Sequence, residues 1–190
     1  MDKPLSRQDI KRQEILDQAQ RLFWCSGFHA TGVDTVLADT GISKRTLYKY
    51  FPSKEHLIEA VLDQYASAVD GALFAPAFAR SSDPRGRILA LFDVRREMME
   101  CSSFQGCLAI KAGQEYVGKH AGIEARSRDS SLYIEGRFVE LCRAAGVADA
   151  EEVGRQVNLV FQGAVMTAQM RRSTDVFDAA KATVRRLVGL

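Results

Sequence analysis

The sequence lacks the features by which membrane, secreted and zinc-binding proteins are recognised. No apolar run approaches the ~20 residues that cross a bilayer, and the first residues contain no hydrophobic signal core. Its four cysteines form no Cys-x-x-Cys pair, and no histidine stands at zinc-ligand spacing from them. We therefore expect a cytoplasmic protein with reduced thiols, without a metal ion and without a membrane partner.

Catalytic motifs are missing as well. The chain contains no nucleophile elbow, no Walker loop and no dinucleotide fingerprint. Its three histidines (His29, His56 and His120) are scattered, and the acids Glu97 and Glu100 fit a solvated helix face. The sequence predicts that the protein is not an enzyme and carries no cofactor. An enzyme and a helical protein-interaction module remain the alternatives.

The bulk charge is too small to indicate a nucleic-acid partner. The 190 residues are 46% hydrophobic and 26% charged, with a formal net charge of +2, which is typical of one or two globular domains. The basic residues are nevertheless concentrated in one place. Residues 41–54 contain four cations, Lys44, Arg45, Lys49 and Lys54, and no acid.

The same stretch contains start and stop signals for a short helix. Gly41 suits a tight turn, and Ser43 is a good N-cap. Pro52 disfavours a helical conformation of the residue before it. These signals predict a helix over residues 44–50, roughly 10 Å long.

Helical geometry divides this short helix into two faces. At about 100° per residue, one arc carries Lys44, Arg45, Tyr48 and Lys49, whereas Leu47 and Tyr50 lie opposite. A helix of this kind fits the major groove of DNA, with its cations against phosphates or guanine edges. The alternative is a solvated basic helix in an ordinary helical protein.

The preceding residues supply the first half of a helix-turn-helix. Residues 33–40 are expected to form a short helix with Val33, Val36 and Leu37 facing inward. A helix, a glycine-containing turn and a basic helix form the helix-turn-helix arrangement. In the connector before it, Thr31 is a candidate either for capping a helix or for contacting a phosphate.

Two segments carry a resemblance to a known family. Phe28-His-Ala-Thr-Gly-Val-Asp-Thr-Val and Gly41-Ile-Ser-Lys-Arg-Thr-Leu-Tyr-Lys-Tyr-Phe-Pro-Ser-Lys-Glu closely resemble the DNA-binding domain of the TetR family of bacterial repressors. The match covers about residues 8–60. It implies a regulator that binds a two-fold symmetric, double-stranded DNA operator as a homodimer and responds to a small-molecule effector.

The resemblance also implies roles for individual residues. Thr46, Tyr48 and Lys54 match positions that contact phosphate, and Lys44 and Arg45 match positions that read base edges. We assign Lys49 to phosphate as well. Tyr50 stays open between packing inward and reaching the DNA backbone with its hydroxyl group.

The rest of the chain shows only helical periodicity, so we predict an all-α fold of about nine helices. Residues 1–54 would form the helix-turn-helix domain, and residues 55–190 the effector-binding and dimerisation domain. The predicted helices, besides those at 33–40 and 44–50, span residues 7–26, 53–79, 84–101, 107–117, 123–145, 150–172 and 175–189.

The resemblance places dimerisation in the last two helices, where a second copy would complete a four-helix bundle. The apolar stripes of these helices supply the candidate interface residues: Val157, Phe161, Val165, Ala168, Phe177, Ala180 and Val184. The alternative is that the same stripes complete the core of the single chain.

The middle helices contain the aromatic and soft side chains expected of an effector pocket for an apolar or aromatic small molecule. The candidates are Phe92, Met99, Cys107, Ile110, Tyr116, Tyr133 and Phe161. Any one of them has plain core packing as its alternative role.

A second hypothesis concerns thiol chemistry. Gly106-Cys107-Leu108 opens a predicted helix, whose dipole favours a thiolate, and resembles a segment of TetR-family repressors that sense electrophiles or oxidants. Cys101 is near enough in sequence to resolve an oxidised Cys107. Gln169 stands where one sensor type has a reactive lysine, which argues against a cysteine–lysine adduct. A buried, inert cysteine is the alternative.

Overall fold

The computed structural model describes residues 6–38 and 40–190. Within these ranges every regular element is a helix, and joining α4 to α5 through the turn between them gives nine helices, as predicted. The α-helices are α1 Arg7–Ser26, α2 Val33–Leu37, α3 Lys44–Tyr50, α4 Lys54–Val69, α5 Ala75–Ala79, α6 Pro84–Cys101, α7 Leu108–Tyr116, α8 Ala121–Ala144, α9 Ala150–Arg171 and α10 Val176–Leu187.

One π-helical turn, Asp70–Phe74, separates α4 from α5 and interrupts the single long helix that the sequence predicts. In this turn the Ala75 N–H donates to the Asp70 carbonyl, five residues earlier. Pro76 explains the change, because it has no N–H to donate to the Ala72 carbonyl and its ring crowds that carbonyl. The wider turn absorbs this local conflict without ending the helical run.

The chain divides into two compact units. The first consists of the described part of Met1–Ala66 together with Leu108–Arg128, and the second of Ser67–Cys107 together with Asp129–Leu190. The first unit therefore contains the helix-turn-helix and also α7. The predicted boundary after residue 54 concerns function and stays a prediction.

The first unit has an apolar core of its own. Ile15 and Phe23 of α1, Leu47 of α3 and Ile58 of α4 are fully buried in it. Tyr116 of α7 belongs to the same cluster. Burial of these side chains from four helices fixes the position of the short helices, which would be unstable alone.

The core of the second unit contains the side chains that we assigned to dimerisation. None of the seven is more than 8% exposed: Val157, Phe161, Val165, Ala168, Phe177, Ala180 and Val184. A side chain buried within its own chain cannot meet a second copy, so the interface assignment of these residues is corrected. Their stripes join α9 and α10 to α6 and complete the core of the unit.

Three features of the described residues bear on the absences in the sequence. No helix among them is long and apolar enough to cross a membrane. No group of three or more His, Cys, Asp or Glu residues among them is arranged to hold a metal ion. None of the four cysteines, all of which lie in the described ranges, forms a disulfide bond, and burial raises the pKa of the Cys142 thiol.

Candidate nucleic-acid interface

The basic helix α3 has the predicted boundaries and the predicted cap. Ser43 is its N-cap, and the Ser43 hydroxyl accepts the Thr46 N–H at 3.2 Å. Gly41 has φ = +66°, a left-handed conformation that favours glycine and turns the chain between α2 and α3. Phe51 ends the helix in an extended conformation before Pro52, as expected for a residue that precedes proline.

The two faces of α3 are arranged as its periodicity predicts. Leu47 is fully buried and holds the helix to the core of the first unit. The exposed arc consists of Lys44, Arg45, Tyr48 and Lys49. Three cations and an amphipathic tyrosine are thus available on one side of a short, fixed helix.

Lys44 is not a free cation. Its Nζ lies 2.8 Å from Oδ1 of Asp34 in α2, in an ion pair whose side chains are both more than half exposed. The hydrogen bond to Asp34 raises the pKa of Lys44. Sequence reasoning missed this pair, because its partners lie on different helices and no periodicity connects them.

Thr31 does not contact DNA in the way that we considered. It is 1% exposed, and its Oγ1 donates to the Gly27 carbonyl at 2.7 Å. The hydroxyl group therefore closes the turn after α1 within the core, out of reach of a phosphate. The assignment of Thr31 to DNA binding is corrected to the structural alternative.

Three further candidates are partly enclosed. Thr46 is half-buried, and its hydroxyl lies 3.0 Å from that of Ser43. Tyr50 is half-buried against the core of the first unit, with its ring 6.4 Å from that of Phe51. Lys54 is half-buried at the first residue of α4.

The start of α4, directly after α3, is stabilised by local polar contacts. The Ser53 hydroxyl accepts the His56 N–H at 3.3 Å, as expected for the cap of this helix. The backbone N–H of Glu55 and then the Ser53 hydroxyl lower the pKa of the Glu55 carboxyl. An ionised carboxylate at this end is favourable because it faces the positive end of the helix dipole.

The candidate effector residues are distributed over both units. Phe92, Met99 and Phe161 are buried in the second unit, where the Phe92 and Phe161 rings meet edge-to-face at 5.2 Å. Cys107 and Ile110 are half-buried.

The two tyrosine candidates have other contacts. Tyr116 is 5% exposed in the first unit, where burial raises its pKa and its ring stacks on His29 at 4.8 Å. Tyr133 lies at the surface of the second unit, and its hydroxyl donates to the Asp70 carboxylate at 2.6 Å. That hydrogen bond raises the pKa of Tyr133.

Open grooves of about 350 and 250 Å³ lie on the second unit. Both are lined by Arg143, Glu151 and Arg155, and none of the candidate effector residues lines either groove.

Comparison with known proteins gives one consistent result. Residues 15–61 match the family described as bacterial regulatory proteins, tetR family. Over 163 residues the chain is 42% identical to the HTH-type transcriptional regulator YxaF of Bacillus subtilis, which covers 82% of this chain and 83% of that protein. Over another 163-residue alignment it is 32% identical to the HTH-type transcriptional regulator EthR of Mycolicibacterium smegmatis, covering 84% and 75%.

Solved structures agree with this result. A TetR-family transcriptional regulator from Streptomyces coelicolor superposes with a TM-score of 0.84 at 25% identity, covering 94% of each chain. The relatives are transcriptional regulators, not enzymes, and this chain carries their helix-turn-helix on an all-helical fold. The protein belongs to the TetR family of DNA-binding transcriptional regulators.

Proposed function

We propose that this regulator binds a palindromic DNA operator as a homodimer, acts as a repressor and is released by a small-molecule effector. The exposed basic arc of α3, held in place by the buried Leu47, is the observation that carries the proposal. Arg45 is the base reader, because it is exposed in the first turn of α3 and has the fork geometry that pairs with guanine. Tyr48, Lys49 and Lys54 contact phosphates.

Binding to the DNA upstream of its own gene tests this proposal. In a gel shift, we expect tight binding of that fragment by two chains, with affinity that falls steeply with salt because phosphate contacts release counterions. An unrelated duplex of equal length is the control. Equal affinity for both fragments would contradict specific operator recognition.

The second copy requires an exposed surface, and α9 offers one. Leu159, Met166 and Met170 are 70%, 38% and 75% exposed, and with the exposed Gly163 they follow a 4-3-4 spacing along one face. This is the spacing of a helix-packing seam. We assign dimerisation to this face of α9 and to the small exposed residues of α10, Ala179, Ala182 and Thr183.

Release by an effector follows from linkage. A ligand that binds the DNA-free conformation more tightly weakens operator binding by the same factor by which the operator weakens ligand binding. The aromatic core around Phe92, Phe138 and Phe161 supports an apolar or aromatic ligand for the second unit. We expect such a ligand to lower operator affinity without changing the sequence preference of α3.

The second candidate is release through Cys107. Ser103 and Phe104, in the loop before this residue, both have positive φ, which is costly for residues other than glycine and is concentrated at functional sites. A Cβ atom at Gly106 would clash with the side-chain amide of Gln169, so the loop lies directly against α9. This contact is consistent with the alignment of Gln169 with the reactive lysine of one sensor type; because glutamine is not a nucleophile, the proposed chemistry is oxidation of the thiol and not a cysteine–lysine adduct.

Thiol titration of the folded protein tests the second candidate. A sensor cysteine predicts that mild oxidant consumes the Cys107 thiol and weakens operator binding, and that Cys107→Ser abolishes the response. Cys101→Ser tests the resolving role. An unreactive Cys107 in the folded protein would contradict the hypothesis.

A further inference from the structure

Arg95, in the middle of α6, is a buried cation without a partner. It is 5% exposed and is the one charged side chain among the buried residues in the described part of the chain. Its Nη2 is inaccessible and donates no hydrogen bond, and the guanidinium forms no ion pair with any acid among the described residues. Thr31, by contrast, is also buried but donates its hydroxyl hydrogen to a carbonyl.

The other charged side chains of α6 differ from Arg95 in having a partner. Each has one within the second unit: Arg85 with the Val188 carbonyl, Arg87 with the Ser81 carbonyl, Asp93 with Lys181, Arg96 with Asp178, Glu97 with Arg80, and Glu100 with Thr174. Nε and Nη2 of Arg96 are also buried without a hydrogen bond, but Nη2 lies 2.6 Å from the Asp178 carboxylate, which compensates its charge. Burial of a charge is costly unless the charge is paired and hydrogen-bonded. A buried, unpaired cation is therefore expected where a ligand supplies the missing charge.

The position of Arg95 associates it with apolar side chains. Phe92 and Met99 lie three residues before it and four after it, which places all three on one face of α6. Both neighbours are fully buried. The Phe92 ring contacts Phe161 edge-to-face at 5.2 Å and lies 6.3 Å from the Phe138 ring. One cation thus stands beside an aromatic and aliphatic cluster.

We infer that Arg95 binds the carboxylate of an apolar or aromatic effector. The planar guanidinium donates two parallel hydrogen bonds to a carboxylate, and one negative charge neutralises the one buried positive charge. A phosphate monoester, with a charge near −2, would leave an uncompensated negative charge in the same apolar surroundings. The inference rests on the proposed function of the second unit as an effector-binding domain.

Matched ligands that differ in their charged group test whether the protein prefers a carboxylate. Calorimetric titration of the full-length protein with 4-phenylbutanoate and decanoate is compared with titration of the corresponding amides and of decyl phosphate. We expect the carboxylates to bind about 10- to 100-fold more tightly than the amides, as for a hydrogen bond between charged groups. Decyl phosphate is expected to bind more weakly than decanoate.

Substitutions of Arg95 test whether this residue causes the preference for carboxylates. Arg95→Met removes the charge at similar length, and we expect it to abolish the preference for carboxylates over amides, whereas Arg95→Lys retains part of it. Without ligand, Arg95→Met should melt at the same temperature as the wild type or higher, because it removes an unpaired buried charge. The control Arg96→Met breaks the ion pair with Asp178, so it should lower the melting temperature and keep the ligand preference.

Three results would overturn the inference: equal binding of carboxylates and amides, absence of any carboxylate binding, or a melting temperature of Arg95→Met lowered as much as that of Arg96→Met. Operator binding by the ligand-free protein separates this outcome from failure of the proposed function. If the wild type and Arg95→Met both bind the operator and carboxylates act like amides, the inference about Arg95 fails while the regulator remains.

Discussion

At the scale of single residues, the DNA-binding face depends on side chains that differ in exposure and in partners. Arg45 and Lys49 are exposed on α3, and Lys44 is exposed but paired with Asp34. Lys54 begins α4 and is half-buried. We expect these differences to separate residues that read bases from residues that only hold the phosphate backbone.

The first prediction concerns Arg45. Loss of a bidentate contact with guanine removes about 1–3 kcal/mol of discrimination, so Arg45→Ala should bind wild-type and single-base operator variants with nearly equal affinity. Fluorescence anisotropy with a set of operator variants measures this change. Lys54→Ala is the matched control, because loss of a phosphate contact weakens binding to all sequences and reduces the salt slope by about one.

If Arg45→Ala weakened every operator variant by the same factor, Arg45 would be a phosphate contact and the assignment would be wrong.

The second prediction concerns Asp34, which forms an ion pair with Lys44 in the protein without DNA. Asp34→Asn removes the partner and one negative charge near the DNA, so operator affinity at low salt should rise several-fold. The gain should shrink as salt increases, because interactions between exposed charges are screened. Glu152→Gln, at an exposed position in α9, controls for the change in net charge. Unchanged or weaker binding by Asp34→Asn would show that the ion pair orients Lys44 for DNA.

Local geometry explains which site residues could be predicted from the sequence. The exposed arc of α3 and the buried Leu47 are confirmed, because helical periodicity assigns their faces without knowledge of the rest of the fold. The burial of Thr31 and the pairing of Lys44 with Asp34 could not be predicted in this way. Both depend on how separate segments meet in space.

At the scale of elements, the sequence predicts most helix ends to within two residues. Caps and stop signals act over a few residues, so α1 and α6 have the predicted ends at Arg7–Ser26 and Pro84–Cys101. The π-helical turn Asp70–Phe74 was missed, although Pro76 signals a conflict with a regular helix. A proline predicts that the regular hydrogen bonding of a helix is interrupted. It does not predict whether the surrounding structure favours a kink, an end of the helix or a π-helical turn.

The third prediction concerns the contact between α8 and α9. A Cβ atom at Gly154 would lie 2.6 Å from the Cα of Val139, and a backbone atom cannot move away cheaply. Gly154→Ala should therefore destabilise the protein by about 1–3 kcal/mol, as measured by thermal melting.

Gly136 of α8 provides the matched control, since a Cβ atom there would meet nothing within 4 Å. Gly136→Ala should stabilise the protein by about 0.5–1 kcal/mol, because alanine is the better helix former. If both variants had the same effect on the melting temperature, the close packing at Gly154 would not be a constraint.

At the scale of the whole molecule, the proposed function requires two copies. One short helix reads only a few base pairs, and helix-turn-helix proteins reach specificity by placing two of them on a two-fold symmetric site. The assignment of the dimer seam to α9 and α10 stays a prediction, but the apolar stripe that the sequence analysis named for it is buried within the single chain. Apolar periodicity marks every buried stripe alike, and only the coordinates show that the stripe of Val157 and Phe161 belongs to the monomer core.

The fourth prediction concerns this face. Leu159→Asp together with Met166→Asp should convert dimers into monomers, because two charges would be buried in an apolar seam. Sedimentation equilibrium measures the change, and operator affinity should fall with it. Val117→Asp, at a residue 69% exposed in the first unit, should leave the protein dimeric. A dimeric double variant would place the interface elsewhere.

The central claim is that two copies of α3 enter the DNA on one side of the duplex. Hydroxyl-radical footprinting of the protein on the DNA upstream of its gene tests this claim most directly. We expect two protected patches, related by two-fold symmetry and centred one helical turn or a multiple of it apart. Replacement of Lys44, Arg45 and Lys49 by alanine should remove both patches, and unchanged protection by this triple variant would contradict the account.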